Sequence, residues 1–187
     1  VIGKKIKEKC DCLGVSGGWT PRVHLFTQSG GKLNFRDKDN VFLPGKSELN
    51  QISIGSCNGD FELDEIIKNT NNNIKIYLDI KNTDYDNLDI SCSKEVEKRN
   101  IWLLPNYIPL GKTKSFIDFQ NDSTAKDIKL ALREGFRSIE HVKRYTTTGM
   151  ATDQGKLSNM HALGIIAETA GVKMGTLGTT TFRPPFT

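Results

Sequence analysis

The segment between His141 and Lys156 holds the side chains of this chain best suited to bind an anionic or polar ligand. It places two neighbouring cations, a tyrosine, three consecutive threonines, two glycines, a glutamine and a further lysine within sixteen residues. Hydroxyls, backbone N–H groups at glycines and a few cations are the groups that hold a phosphate or the edge of a flavin. The segment is therefore the first candidate for a ligand contact.

Helical patterns flank this segment on both sides. Upstream, Ser138 can start a helix in which Ile139, Val142 and Tyr145 face inward and which Gly149 ends. Downstream, apolar residues recur at helical spacing up to a closing glycine, at Leu157, Met160, Leu163, Ile166, Ala167, Ala170 and Gly171. The polar segment is therefore expected to join two helices.

A further helix is expected before these two. Thr124 can cap its first turn with Asp127 three residues on, and Gly135 stops it. Its apolar stripe consists of Ile128, Ala131 and Leu132. A short apolar segment at 116–119 precedes it, and an extended tail closes the chain because Pro184 and Pro185 exclude helix there.

The first 80 residues show strand patterns and one helix. We predict a buried strand at 10–15 and further short strands at 33–35, 41–43 and 51–54. A brief extended or helical turn is expected at 23–26. A helix is expected from Phe61 onward. The run from Ile74 to Ile80 alternates like a strand, but the helical spacing before it favours continuation of the helix.

The predicted fold class is mixed α/β, in three parts. Residues 1–80 form the strand-containing part, residues 81–113 a linker, and residues 114–187 a small three-helix domain. The linker is polar and charged, with 101–104 as an apolar anchor. Because the chain does not begin with Met and shows no signal peptide, we take it as a piece of a longer polypeptide.

Composition excludes several functions. The net charge of +4, from 26 basic and 22 acidic residues, is too small and too mixed for a nucleic-acid binder. No window holds 18 consecutive apolar residues, so we expect no membrane span. The four cysteines fit no disulfide framework, which favours a cytoplasmic location. The three histidines are scattered, and Cys10-x-Cys12 alone predicts packing residues rather than a metal site.

Motifs for catalysis are missing. The sequence holds no G-x-G-x-x-G or H-E-x-x-H pattern, and the glycine-rich segment Gly14-Val15-Ser16-Gly17-Gly18 leads into Trp-Thr-Pro rather than into a helix. Glu140 and His141 are neighbours on a helix and point in different directions. We therefore predict no catalytic residue, and the chain alone is not expected to turn over a substrate.

Several stretches resemble the alpha subunit of heterotetrameric sarcosine oxidase. The most specific contain Phe-Ile-Asp-Phe-Gln-Asn-Asp-Ser-Thr-Ala-Lys-Asp-Ile and His-Val-Lys-Arg-Tyr-Thr-Thr-Thr-Gly-Met-Ala-Thr-Asp-Gln-Gly-Lys, and the tail from Gly178 to Thr187 is similar to the same family. Val15 to Leu25 and Gly55 to Phe61 resemble the end of its pyridine-nucleotide domain. The resemblance covers nearly the whole chain and weakens between residues 65 and 100.

This resemblance implies a part in the oxidative demethylation of sarcosine. The alpha subunit of that family binds NAD, whose upstream half-site would lie outside this chain, and shares FMN with the beta subunit. The expected partners are therefore the beta subunit and the remaining alpha-subunit domains. Residues 1–80 would be the end of the NAD-binding domain.

The resemblance places NAD contacts in a strand-to-helix loop, at Ser56, Phe61 and Leu63. For FMN, the need of a flavin phosphate for cations and hydroxyls selects candidates in the polar segment: Lys143, Arg144, Thr146, Thr147, Gln154 and Lys156. The alternative is a subunit-assembly module in which the same segment forms a polar interface to the beta subunit and contacts no cofactor.

The helical domain also resembles small domains that hold a two-iron two-sulfur cluster. Their four cysteines correspond here to Asp118, Gln120, Asp153 and Ser158. Because such clusters need thiolate ligands, we expect a retained scaffold without an iron–sulfur cluster.

Overall fold

The structure is a computed structural model that describes residues 6–14, 17–81, 90, 100–105 and 108–180. Its helices are α1 (His24–Gln28), α2 (Leu63–Leu78), α3 (Ala125–Arg133), α4 (Ile139–Thr146), α5 (Asn159–Ala170) and α6 (Met174–Leu177). Its strands are β1 (Leu33–Arg36), β2 (Val41–Pro44), β3 (Phe116–Asp118) and β4 (Ser123–Thr124). Short 3-10 turns lie at Gly55–Asn58 and Leu110–Lys112.

The described residues therefore combine helices with two small antiparallel sheets. β1 pairs with β2, with Leu33 opposite Pro44, and β3 pairs with β4. This confirms the mixed class, the two strands near 33–43 and the helix from 63 to 78. The linker residues 82–89 and 91–99 and the tail residues 181–187 lie outside the described residues.

Two predicted strands are wrong. Residues 10–14 are exposed and irregular, Val15 lies outside the described residues, and residues 51–54 are also irregular. Among the described residues neither segment has a strand beside it. A lone strand leaves its N–H and C=O groups without ladder partners, so alternating sequence alone does not form one.

Local signals set the ends of α3. The Thr124 N–H and hydroxyl donate to Asp127 Oδ2 at 2.8 and 2.7 Å, which fixes the first turn. Arg133 is the last helical residue, and Gly135 follows with φ of 97°. The predicted cap and stop are both confirmed.

The later helices follow the prediction less closely. α4 begins after Ser138 as expected, but it ends at Thr146 with Thr147 in the left-handed cap position, so the expected end at Gly149 is wrong. Tyr145 is 46% exposed and packs on Phe136, with ring centroids 4.8 Å apart. α5 ends at Gly171 as predicted, but Leu157 precedes the helix and is 77% exposed.

One apolar core joins the hairpin to the later helices. Ile128, Val142, Leu163 and Ile166 are fully buried between α3, α4 and α5. Phe42 of β2 belongs to the same cluster. A Cβ at Gly175 of α6 would lie 2.8 Å from the Phe35 ring of β1, so the missing side chain lets this ring approach the helix.

Trp102 anchors the chain before β3 to this core. Its indole lies against α5, where a Cβ at Gly164 would stand 2.1 Å from the ring atom Cδ2. The ring of His161, one turn earlier, meets the indole edge-on at a centroid distance of 6.0 Å. Trp102 and Leu103 pack against the core, whereas Ile101 and Leu104 are exposed, so the apolar anchor predicted at 101–104 is confirmed for its two central residues. Across the described ranges, the helices are too short or too polar to cross a membrane.

Replacing Gly164 by Ala is expected to expel the indole. Alanine favours helix by about 1 kcal/mol over glycine, but overpacking of this kind costs about 1–3 kcal/mol. We therefore expect lower stability in urea unfolding and a red-shifted Trp102 fluorescence, measured with Trp19→Phe because Trp19 is 84% exposed. The control is Gly111→Ala, since no atom lies within 4 Å of that added Cβ. Equal spectra for the two variants would contradict the packing argument.

Candidate functional site

The loop between α4 and α5, residues 147–158, has an unusual backbone. Five of its residues have left-handed φ angles: Thr147 at 59°, Gly149 at 72°, Ala151 at 50°, Gln154 at 46° and Gly155 at 75°. For residues other than glycine this conformation costs about 1–2 kcal/mol each. Such a loop keeps its shape only where surrounding groups hold it in place.

Asp118 at the end of β3 holds the start of this loop. Its carboxylate is 2% exposed. Oδ1 accepts hydrogen bonds from the N–H groups of Gln120 at 2.9 Å and Asn121 at 3.1 Å. Oδ2 accepts from the Asn121 side-chain amide at 2.9 Å and from the Gly149 N–H at 2.8 Å. Four donors therefore satisfy the buried charge and tie the loop to β3.

A second connection holds the end of the loop. The Asp153 N–H donates to Gln120 Oε1 at 2.9 Å. Asp153 Oδ2 in turn accepts from the Gly155 N–H at 2.9 Å and from the Ser158 hydroxyl at 2.7 Å. Asp118, Gln120, Asp153 and Ser158, the four positions of the expected lost cluster, are thus linked in one hydrogen-bonded chain.

Metal binding has no support in the described part of the chain, where no group of histidine, cysteine or carboxylate side chains is arranged to hold a metal ion. The Asp118 and Asp153 oxygens described above instead serve as acceptors for backbone and side-chain donors. Hydrogen bonds of this kind, to a charged carboxylate, are the stronger ones in proteins.

Two predicted FMN residues face the interior of the loop. Thr146 is buried, and its hydroxyl lies 2.8 Å from the Val142 carbonyl and 2.9 Å from the Thr148 hydroxyl. Gln154 is also buried, and its side-chain amide donates to the Ala151 carbonyl. Both side chains therefore stabilise the loop from within.

The other four predicted FMN residues reach the surface to different degrees. Arg144 and Thr147 are exposed, whereas Lys143 and Lys156 are half-buried. Lys143 lines a cavity of about 10 Å³ between α3, α4 and α5, together with Thr148 and Asn159. Lys156 lies in a different place, beside the segment that leads into α1.

A cleft forms where Lys156 meets that segment, and we call it the His24 cleft. Its cavity measures about 20 Å³, and its lining comprises Thr20, Pro21, Arg22, Val23, His24, Phe42, Gly155, Lys156, Asn159, Met160 and Thr179. Sequence reasoning missed Arg22 and His24, because no local pattern indicates a contact between segments more than 130 residues apart. The only signal in the sequence was the residue types themselves, a cation at Arg22 and an imidazole at His24.

Burial lowers the pKa of His24 below its ordinary value of 6.5. The Gln154 backbone acts in the opposite direction, and the positive charges of Lys156 and Arg22 lower the pKa further. The imidazole is therefore held neutral in a positively charged environment at neutral pH.

The loop predicted to contact NAD lies elsewhere, between β2 and α2. Ser56 is exposed in the 3-10 turn, Phe61 is half-buried, and Leu63 begins α2 with its side chain largely exposed. Arg36 of β1 holds this loop through a 2.9 Å hydrogen bond from Nη2 to the Gly59 carbonyl. The hairpin thus positions the loop.

Acidic groups dominate this second loop. Asp64 and Glu65 occupy the first turn of α2, and Asp60 precedes it. Among the residues that the structure describes, Asp60 Oδ2 and Asp64 Oδ1 are shielded from solvent and have no hydrogen-bond partner. The negative charge of these groups makes the loop unsuited to hold a phosphate.

Asp118→Asn is expected to loosen the α4–α5 loop. The amide places an NH₂ group against N–H donors, so at least one of the four hydrogen bonds becomes a repulsion. We expect a loss of about 2–3 kcal/mol in the free energy of unfolding and faster hydrogen exchange at the Gly149 amide. The control is Asp122→Asn, an exposed left-handed position that asparagine tolerates. Equal stability of the two variants would show that the Asp118 carboxylate does not hold the loop.

His24 predicts a pH dependence of stability. Because its pKa is lower in the folded chain than in the unfolded one, the unfolded chain binds the proton more readily. Stability should be complete above pH 6.5 and fall as the pH drops below it, by at most about 1.4 kcal/mol per pH unit. Urea unfolding of His24→Gln should lose this slope, and His141→Gln, at an exposed position, should keep it. An unchanged slope in His24→Gln would contradict the assignment.

The sequence of this chain is similar to those of known proteins. Residues 112–187 match the family described as the sarcosine oxidase A3 domain. The sarcosine oxidase subunit alpha of Rhizobium meliloti (strain 1021) is 36% identical over 188 residues, which are 95% of this chain and 18% of that protein. The corresponding subunit of Corynebacterium sp. (strain U-96) is 33% identical over 194 residues, which are 100% of this chain and 20% of that protein.

The fold is similar to that of L-proline dehydrogenase from P. horikoshii. That crystal structure superimposes with a TM-score of 0.59 at 20% identity, over 90% of this chain and 36% of the dehydrogenase chain. At this identity the similarity concerns the fold alone. The chain spans about a fifth of the length of the curated relatives it matches. Because identity with those relatives extends over nearly all of its residues, the chain belongs to the family of sarcosine oxidase alpha subunits.

Proposed function

We propose that this chain contributes to the oxidative demethylation of sarcosine as part of an alpha subunit. In this proposal the α4–α5 loop contacts FMN at the interface with the beta subunit, and the loop at 55–63 contributes to NAD binding. One observation carries the proposal: a loop with five left-handed residues is held in place by the Asp118 carboxylate next to a cleft that carries two cations.

The rigidity of the loop supports a contact role. Three residues other than glycine adopt left-handed backbone in it, and strain of this kind clusters at ligand-binding segments. Lys143 and Lys156 lie near its two ends, and the exposed residue Thr147, whose hydroxyl donates to the Thr146 carbonyl, lies between them. A flavin binds through such donors and cations, which orient it and adjust its electronic properties.

The chemistry of the 55–63 loop suits one part of NAD. Because Asp64 and Glu65 occupy the first turn of α2, the negative charge there would repel a pyrophosphate. The carboxylate of Glu65, which is exposed in that turn, can accept hydrogen bonds from ribose hydroxyls. Leu63 and Phe61 would then supply apolar contact.

A second function is favoured by a different observation. Phe116 and Phe119 lie on and beside β3 with ring centroids 5.8 Å apart, and Phe119 is 77% exposed. Exposed aromatic side chains are typical of protein interfaces. The alternative is therefore an assembly module that docks the companion subunit and contacts no cofactor. The matched relatives are themselves named as subunits, which implies companion chains.

The two functions differ in a flavin titration of the complex with the beta subunit. Lys143→Ala and Lys156→Ala should each weaken FMN binding by about tenfold, the equivalent of one charge-assisted hydrogen bond, as measured by flavin absorbance. The control is Lys129→Ala, an exposed cation on α3. Unchanged flavin binding in both variants, combined with loss of subunit assembly in Phe119→Ser, would establish the assembly module instead.

A further inference from the structure

We propose that Arg22, His24 and Lys156 form a binding subsite for a phosphate monoester in the His24 cleft. The site joins the segment before α1 to the end of the α4–α5 loop. It therefore needs residues from both halves of the chain, and only Lys156 belongs to the polar segment singled out from the sequence.

The shape of the cleft suits one end of a small anion. Its cavity of about 20 Å³ has room for about one water-sized group, which matches a single phosphate oxygen. Thr20 and Arg22 are exposed at its rim, and Asn159 is buried at its base. One oxygen would enter the cavity while the others stay at the open rim.

The two charged side chains that line the cleft are both positive. Lys156 and Arg22 are the charged groups that act on His24, and both are positive. Neither cation forms an ion pair with another residue in the described ranges. Two cations brought together without a carboxylate repel each other, and an anion between them removes that repulsion.

A phosphate monoester suits these groups better than a halide or a carboxylate does. It carries close to two negative charges at neutral pH, which balance two cations. The guanidinium of Arg22 can donate two parallel hydrogen bonds to neighbouring phosphate oxygens. Lys156 supplies a point charge, and the Thr20 and Thr179 hydroxyls at the lining can donate to the remaining oxygens.

Free phosphate and the phosphate group of FMN share this chemistry. The subsite itself does not depend on the identity of the larger molecule. That FMN provides the phosphate rests on the proposed function, since the same loop is proposed to contact the flavin.

Inorganic phosphate titrated into the chain provides the direct test. Binding should shift the NMR signal of the His24 ring and raise its pKa, because a nearby anion stabilises the imidazolium ion. Arg22→Gln and Lys156→Gln should each weaken phosphate binding about tenfold. Their matched control is Arg137→Gln, an exposed cation away from the cleft, and circular dichroism confirms that each variant is folded.

Three outcomes would overturn the subsite. The first is a His24 signal that phosphate does not move. The second is phosphate affinity that stays the same in both cleft variants. The third is an equal response to chloride at matched ionic strength, which would indicate general screening.

A parallel titration of the complex with the beta subunit separates the subsite from the proposed function. FMN should bind more tightly than riboflavin, and Arg22→Gln should remove that difference. If inorganic phosphate binds the chain as expected while FMN and riboflavin bind the complex equally, the subsite is supported and the flavin assignment is contradicted. If FMN is preferred but Arg22→Gln leaves the preference intact, the flavin contact is supported, and the idea that the FMN phosphate occupies this subsite is contradicted.

Discussion

The buried carboxylate of Asp118 is the group on which the loop geometry depends. It joins a strand, a tight turn and a left-handed loop through donors supplied by three different residues. Removing a charge from water is costly, and the cost is offset only when several hydrogen bonds of good geometry replace the lost hydration. The same bonds therefore solvate the charge and determine the path of the chain between α4 and α5.

This arrangement explains how the scaffold keeps its shape with oxygen-containing side chains at the four positions that the resemblance assigns to cluster ligands. A two-iron two-sulfur cluster would link the two loops through cysteine sulfurs bound to its two iron ions. Here direct hydrogen bonds link Gln120 to Asp153 and Asp153 to Ser158. These hydrogen bonds cross-link the two loops at the same four positions.

Sequence reasoning succeeded where the signal was local and failed where it depended on distant partners. The capping by Asp127 and the helix stops at Gly135 and Gly171 could be predicted because each involves residues within one turn. The strand at 10–15 could not be judged correctly, since a strand exists only beside another one. The contact of Arg22 and His24 with Lys156 depends on tertiary packing, which no spacing in the sequence reveals.

The shared apolar core has a consequence for the boundaries of the helical unit. The family match begins at residue 112, yet Phe42 lies in the same cluster as α5, and Phe35 packs against α6 at Gly175. A protein cut at that boundary would lose the hairpin and expose to water the helix surfaces that Phe35 and Phe42 now cover. Any relative that carries the helices without this hairpin needs another apolar element in its place.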